Sequence, residues 1–229
     1  MLERVLTEAP TFFTADNGMF LLAALGRTIA MTAVGCTIGF IVGLGLAVLR
    51  RTRRRELLPL KLLATLYVET FRRIPFLVLL VMVLFAVQPL LPDMPLLGIA
   101  TIAVTLVATA FLSEIIRAGL DSVPRQQTEG AEALGFSPWQ TLRHVLIPQS
   151  MRVILPPAAA FVVMFVKDTS LASHLGVVEL TFSGKILVNR GFSPVLGFGA
   201  ILALYFALSY PLSRFAACLE KRLASPRNP

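Results

Sequence analysis

Apolar residues recur along this chain in long blocks separated by short charged or proline-rich breaks, a rhythm that predicts membrane-spanning helices. A helix needs about 20 apolar residues to cross a hydrocarbon core roughly 30 Å thick. Only helices and closed barrels satisfy their backbone there, and the sequence lacks the alternating strands of a barrel. The first span runs from Met19 to Leu49 and carries Gly35, Gly39, Gly43 and Gly45, which include a four-residue small-residue spacing suited to close helix approach. In the next block, Glu69, Arg72 and Arg73 are costly in lipid and Pro75 removes a backbone donor. That block divides into an interfacial or protein-buried half-helix over 57–73 and a crossing part over 74–91, followed by the turn QPLLPDMP. The third span is Leu96–Ala118, and residues 121–152 are too charged to cross. The fourth starts near Val153, is interrupted after Val166 by KDTS, and is completed over Leu171–Phe182. Residues 183–194 read as a loop, and Val195–Leu219 is the last span. The expectation is an all-α integral membrane protein with about five transmembrane helices. It comprises an extracytoplasmic N-terminal segment (1–18), a single transmembrane domain (19–219) with a cytoplasmic loop at 121–152, and a cytoplasmic tail (220–229).

Composition removes the main rivals. The chain has 229 residues, 56% hydrophobic and 15% charged, with a mean hydropathy of +0.77; soluble domains carry roughly 25% charged residues. The net charge of +8, from 21 Lys and Arg against 13 Asp and Glu, is concentrated rather than spread over a polar face as a nucleic-acid binder requires. Arg50, Arg51, Arg53, Arg54 and Arg55 directly follow the first span, which places that loop in the cytoplasm. Five crossings then put the N-terminus outside and the C-terminus inside. The 121–152 loop and the basic tail fall on the cytoplasmic side, the acidic N-terminus and the 88–95 turn outside, and only the 183–194 loop runs against the charge rule. The N-terminus has none of the features of a cleavable signal and reads as a polar lead-in. Cys36 and Cys218 lie in separate apolar segments, with no pattern for a disulfide framework or a metal site.

The loop between the third and fourth spans carries the chemistry. Glu129, Gly130, Ala131 and Ala133 suit a helix; Gly135 permits a left-handed helix end; Ser137 before Pro138 reads as an N-cap with proline at the first helical position. This predicts a short helix, a tight turn and a second short helix ending at Pro148. Small residues on an exposed helix suit a surface that docks into a partner's groove, against the plainer reading of a solvated connector. Trp139 is expected to pack beneath the loop or at a partner contact, and His144 at the surface.

Glu129, Gly130 and Ala131, then Gly135, then Val145, Ile147 and Pro148 resemble the "EAA" loop of the permease subunits of ATP-binding-cassette (ABC) importers. The strings VETFRRIPFLVLL, AFLSEIIRAGLDSVPRQQ and FVKDTSLASHLGVVEL are similar to the polar amino acid subfamily, the histidine and glutamine permease type. The resemblance covers roughly residues 20–218 and implies a type I importer (MetI-like) transmembrane domain in the bacterial inner membrane. It implies a transport subunit, not an enzyme, that moves a polar amino acid or close analogue by alternating access. Its implied partners are a dimer of ATP-binding cassette ATPase subunits, a second permease chain, identical or paralogous, and an extracytoplasmic solute-binding protein. The chain has no cofactor of its own: its only Gly-Lys pair, Gly184–Lys185, lacks the earlier glycine of a phosphate loop, so ATP and Mg belong to the ATPase.

On this resemblance Glu129, Gly130, Ala131, Gly135 and Pro148 couple the chain to the ATPase. Lys167, Asp168, Thr169 and Ser170, with Arg72, Glu114 and Arg117, mark the substrate path, since intramembrane charge is functional by default. Lys167 can meet a substrate carboxylate and Asp168 an ammonium; alternatively the two neutralise each other or pair with Glu69 or Arg72. Glu114 and Arg117 are spaced for a local ion pair, and Arg72 either binds substrate or anchors the helix break. Departures from the family pattern at Gln126, Gly130, Arg73, Leu79 and Phe111 leave the ligand open. The alternative function is a small channel or an ion-coupled secondary carrier, which has no need of the docking loop.

Overall fold

The computed structural model describes residues 2–52 and 54–223, and every regular element among them is helical. In chain order these are α1 (Leu2–Phe12), α2 (Ala15–Arg51), α3 (Leu58–Phe71), α4 (Phe76–Val87), α5 (Leu96–Asp121), α6 (Arg125–Ala133), α7 (Pro138–Thr141), α8 (Ile147–Asp168), α9 (Leu180–Asn189) and α10 (Pro194–Leu223). The helices containing the first, third, fourth and last expected spans are long and apolar enough to cross a membrane. The fifth candidate is a broken one: Arg55–Phe71 and Phe76–Val87 meet at 118°. Pro75 supplies the break, because its φ of −57° and ψ of 134° leave the helical region and its ring disfavours a helical residue before it.

The chain divides into two units. The first comprises residues 1–36, 74–105 and 163–212. Its core includes Phe12, Leu21, Leu180, Leu187 and Ile201, and Phe12 meets Phe192 edge to face at 5.2 Å. The second comprises residues 37–73, 106–162 and 213–229, with a core of Ala47, Ile116, Leu120, Val123, Leu146 and Ile154. Here the glycine spacing does what it promised. A Cβ on Gly39 would stand 2.8 Å from Ala108 Cβ and 2.9 Å from the Thr109 backbone nitrogen, so α2 and α5 approach too closely for any side chain.

Three expectations are corrected. The N-terminal lead-in is helical as α1, held by an Arg4–Glu8 pair at 2.6 Å and by burial of Phe12. Residues 183–189 belong to α9 rather than a loop: Glu179 caps its first turn by accepting from the Thr181 and Phe182 N–H groups at 2.9 and 2.8 Å, and Ser183, Gly184 and Leu187 are buried. The coupling helix does not end at Pro148, because a π turn over Leu142–Leu146 leads directly into α8. Pro148 then lies inside a continuous helical run, two residues after the π turn that shifts the backbone ladder. Arg53 and residues 224–229 of the expected basic loop and tail lie outside the described residues.

Candidate coupling and transport site

The segment from Arg125 to Thr141 is built from local signals. At the end of α6 the Phe136 N–H donates to Ala131 O at 3.0 Å and the Gly135 N–H to Glu132 O at 2.9 Å, a Schellman closure whose left-handed residue is Gly135 at φ +78°. Ser137 then starts α7. Its hydroxyl accepts from the Gln140 N–H at 3.4 Å while its own N–H donates to Gln140 Oε1 at 2.8 Å, a reciprocal cap that satisfies two orphan donors. Of the expected coupling residues, Ala131 is buried, whereas Glu129, Gly130, Gly135 and Pro148 are exposed. Glu129 has no ion pair or hydrogen bond among the described residues. Trp139 is 65% exposed, and His144 is exposed as expected. The segment thus presents a pre-shaped, polar surface with a free carboxylate and an uncovered indole.

The same unit gathers the charges of α2, α3 and α5. Glu114 accepts from Arg117 at 2.5 Å and from Arg50 at 2.9 Å, and Arg72 approaches it at 4.0 Å. Arg117 also binds Asp121 at 2.7 Å, and Arg51 reaches Asp121 at 3.4 Å. The local Glu114–Arg117 pair is therefore real, but it is part of a network whose further members, Arg50 and Asp121, the substrate-path reading had left out. The signal was available in the arginine run following the first span; its partner, 64 residues further on, was not. Arg72 also lies 5.7 Å above the Phe111 ring, which stacks on Phe161. Phe111 thus serves as an aromatic platform for Arg72.

Lys167, Asp168, Thr169 and Ser170 lie in the other unit, where α8 passes into a 3-10 turn over Thr169–Leu175. Lys167 is exposed and Asp168 half-buried, and neither makes an ion pair within 4 Å or a hydrogen bond among the described residues. Asp168 does feel the charge of its neighbour Lys167, without a direct contact pair. Adjacent residues on a helix do not face each other, Glu69 is taken by Arg73 at 2.7 Å, and Arg72 is turned to Glu114. Thr169 is fully buried and its hydroxyl donates to Val166 O; Ser170 is half-buried. This unit also holds a buried carboxylate absent from the sequence reading: Glu179 is 0% exposed and accepts from Tyr205 Oη at 3.0 Å as well as from the two N–H groups it caps. An acidic residue directly before a helix was the signal for it.

The chain is thus a helical membrane domain of four to five candidate spans with a cap-turn-cap insertion before the fourth. The family model described as the inner membrane component of binding-protein-dependent transport systems matches residues 37–225. A probable amino-acid ABC transporter permease of Bacillus subtilis, YckA, is 31% identical over 93% of this chain and 93% of its own length. The probable glutamine permease GlnP of the same organism is 32% identical over 92% and 96%, and the nopaline permease NocM of Agrobacterium fabrum 30% identical over 87% and 86%. A crystal structure of an amino acid ABC transporter with histidines superposes with a TM-score of 0.80 at 26% identity, covering 90% of this chain and 95% of that one. An inward-facing form of the MetNI methionine ABC transporter shares the fold at a TM-score of 0.79 and 22% identity, over 93% of this chain and 100% of that one. The chain belongs to the binding-protein-dependent transport system inner membrane components, and within them to the amino-acid ABC transporter permeases. It is a multi-pass membrane protein and a transport component.

Proposed function

We propose that the chain lies in a bacterial inner membrane, N-terminus outside and C-terminus in the cytoplasm, and carries a polar amino acid or a close analogue such as an opine. It receives its substrate from an extracytoplasmic solute-binding protein and works beside a second permease chain. A dimer of ATPase subunits, which binds ATP and Mg, drives alternating access through the Arg125–Thr141 segment. One observation carries this reading: a rigidly capped polar surface with an unpaired, exposed Glu129 and a left-handed Gly135 is placed between two spans, where a channel or ion-coupled carrier needs none. Glu129, Gly130, Ala131, Gly135 and Pro148 form the coupling surface. Lys167 and Asp168, which make no hydrogen bond or ion pair within 4 Å among the described residues, meet the carboxylate and ammonium of the substrate, flanked by Thr169 and Ser170; Arg72, Glu114 and Arg117 are the further residues of the substrate path.

The test is the coupling ratio in proteoliposomes. Glu129→Lys and Gly135→Val should lower uptake per ATP hydrolysed by roughly tenfold, about the loss of one charge-assisted contact or the strain of a β-branched residue at positive φ, with membrane insertion unchanged. Uptake at the wild-type ratio in both variants overturns the assignment.

A further inference from the structure

One edge of the apolar face of α1 is buried in its own unit and the other is bare. At about 100° per residue, Val5, Leu6, Ala9, Phe12 and Phe13 fall within an arc of about 120°. Phe13 stays in register because its N–H donates to Ala9 O at 3.0 Å. Glu3, Thr7 and Thr11 take the opposite side and are exposed. Phe12, at one edge of the arc, is 2% exposed, whereas Leu6 and Phe13, at the other, are 72% and 73% exposed.

How α1 is held says where the bare edge lies. Arg4 donates to Gly191 O at 2.9 Å, Phe12 meets Phe192 at 5.2 Å, and Arg190 lies 4.9 Å over the Phe20 ring. Residues 4 and 20 would stand about 24 Å apart on one straight helix. Both reach the 190–193 turn, so the break at 13–14 turns α1 aside from the axis of α2. Asn17 locks this corner: it is buried, and its Nδ2 donates to Phe12 O at 3.0 Å. α2 begins at Ala15 and α10 at Pro194, directly after the turn, and both are candidate spans. α1 therefore lies level with the ends of two spans. Its 11 residues give a length of about 16 Å, too short to cross. The apolar surface continues past the corner. A groove of about 360 Å³, lined by Phe13, Gly18, Leu22, Ala200, Ala203 and Leu204, joins it to the sides of α2 and α10, and Met19 and Leu22 are exposed on α2.

We propose that α1 is an interfacial membrane helix. It lays Leu6 and Phe13 into the acyl region of the leaflet in which α2 begins, and it keeps Glu3, Thr7 and Thr11 in headgroup water. Its hold on the bilayer is apolar: of its charged side chains, Arg4 and Glu8 pair at 2.6 Å and Glu3 remains, so no basic excess draws it to anionic lipid. α1 then has two holds, the clasp on the 190–193 turn and the immersed edge, which together fix the depth at which α2 and α10 enter the bilayer. The transport reading is not needed for this, only that α2 and α10 cross.

The experiment attaches a nitrobenzoxadiazole label to single cysteines of the full chain in phosphatidylcholine vesicles, with and without phosphatidylcholine that carries a shallow doxyl quencher. Cys218 is exposed and is replaced by Cys218→Ser; Cys36 is buried and stays. Labels at Leu6→Cys and Phe13→Cys should be quenched roughly threefold more than at Thr7→Cys, which lies on the water side. Adding phosphatidylglycerol should leave that ratio unchanged. Leu6→Glu should lower the quenching at Phe13→Cys roughly twofold, and Thr7→Glu should not. All these positions are exposed, so the variants should keep the wild-type melting temperature. Equal quenching at positions 6 and 7 overturns the proposal. So does quenching at 13 alone, because that label reaches lipid from the corner with α2. Blue-shifted emission at 6 that doxyl lipid does not quench also overturns it, since protein would then cover the face.

Discussion

Glu114 in one unit of the chain is half-buried and Glu179 in the other is fully buried, and the two carboxylates are satisfied by opposite means. Glu114 is surrounded by the guanidinium groups of Arg50, Arg117 and, at a longer distance, Arg72. Among the described residues Glu179 has no ion pair within 4 Å; it accepts from two backbone N–H groups and from Tyr205 Oη. The Glu114 arrangement needs the negative charge, because three cations on different helices depend on it. The Glu179 arrangement relies on acceptor oxygens, with no cation in contact among the described residues. A network of the first kind fixes α2, α3 and α5 to one another and breaks as a whole; one of the second kind fixes only the start of α9 and its contact with α10.

The same substitution at both sites separates these roles. Glu114→Gln leaves Arg50, whose side chain is 9% exposed, without a counter-charge, while Arg117 keeps Asp121; it is expected to cost about 2–3 kcal/mol, the upper range for losing a hydrogen bond to a charged group. Glu179→Gln keeps one acceptor oxygen and places an amide donor against donors, so about 1–2 kcal/mol is expected, the penalty for a single unsatisfied buried group. Thermal unfolding of the detergent-solubilised protein measures both. A larger loss at Glu179 than at Glu114 would reverse the assignment of roles.

Lys167 and Asp168 extend the contrast, since neither is held by a hydrogen bond or ion pair among the described residues. Lys167→Ala and Asp168→Asn should leave stability within about 0.5 kcal/mol, as for surface positions free of such contacts, while shifting the apparent KM for uptake. A fall in melting temperature comparable with Glu114→Gln would make the pair structural and remove it from the substrate path.

The spans were legible because length and apolarity suffice to define them, and the Gly135 turn and Ser137 cap because each is written within four residues. What was not legible depends on residues distant in sequence. The reading of 183–194 as a loop missed α9, whose cap and packing involve Thr28, Tyr205 and Ile201. Arg50 as a partner of Glu114 requires α2 and α5 to be brought together by Gly39 and Gly43, a consequence of packing and not of pattern. Pro148 looked like a helix end; only the π turn before it, a backbone feature without a sequence signature, allows the helix to continue.

The smallest expected effect concerns α1, which is tied to the 190–193 turn in part by one half-buried carboxylate. Glu8 accepts from Arg4 and from the Ser193 N–H, and Arg4 also donates to Gly191 O at 2.9 Å, so the helix clasps the 190–193 turn through a single charge. The Arg4 hydrogen bond first, and the Ser193 N–H second, hold the Glu8 carboxyl below its ordinary value. A carboxyl whose pKa is lower folded than unfolded stabilises the folded contact above the unfolded value and loses that contribution as pH falls through the folded one. The clasp should therefore be fully formed at neutral pH and loosen once pH drops below the usual carboxylate range near 4. Hydrogen exchange over residues 2–12 and 190–193, corrected for intrinsic rates, should rise in that window in the wild type. In Glu8→Gln it should already be raised at pH 7 and stay flat as pH falls. The turn over 134–136, closed by backbone bonds alone, should not respond to pH in either protein. If Glu8→Gln keeps the wild-type pH profile, the clasp is held by Phe12 packing on Phe192 and not by charge, and α1 joins Glu179 among the elements fixed without ion pairs.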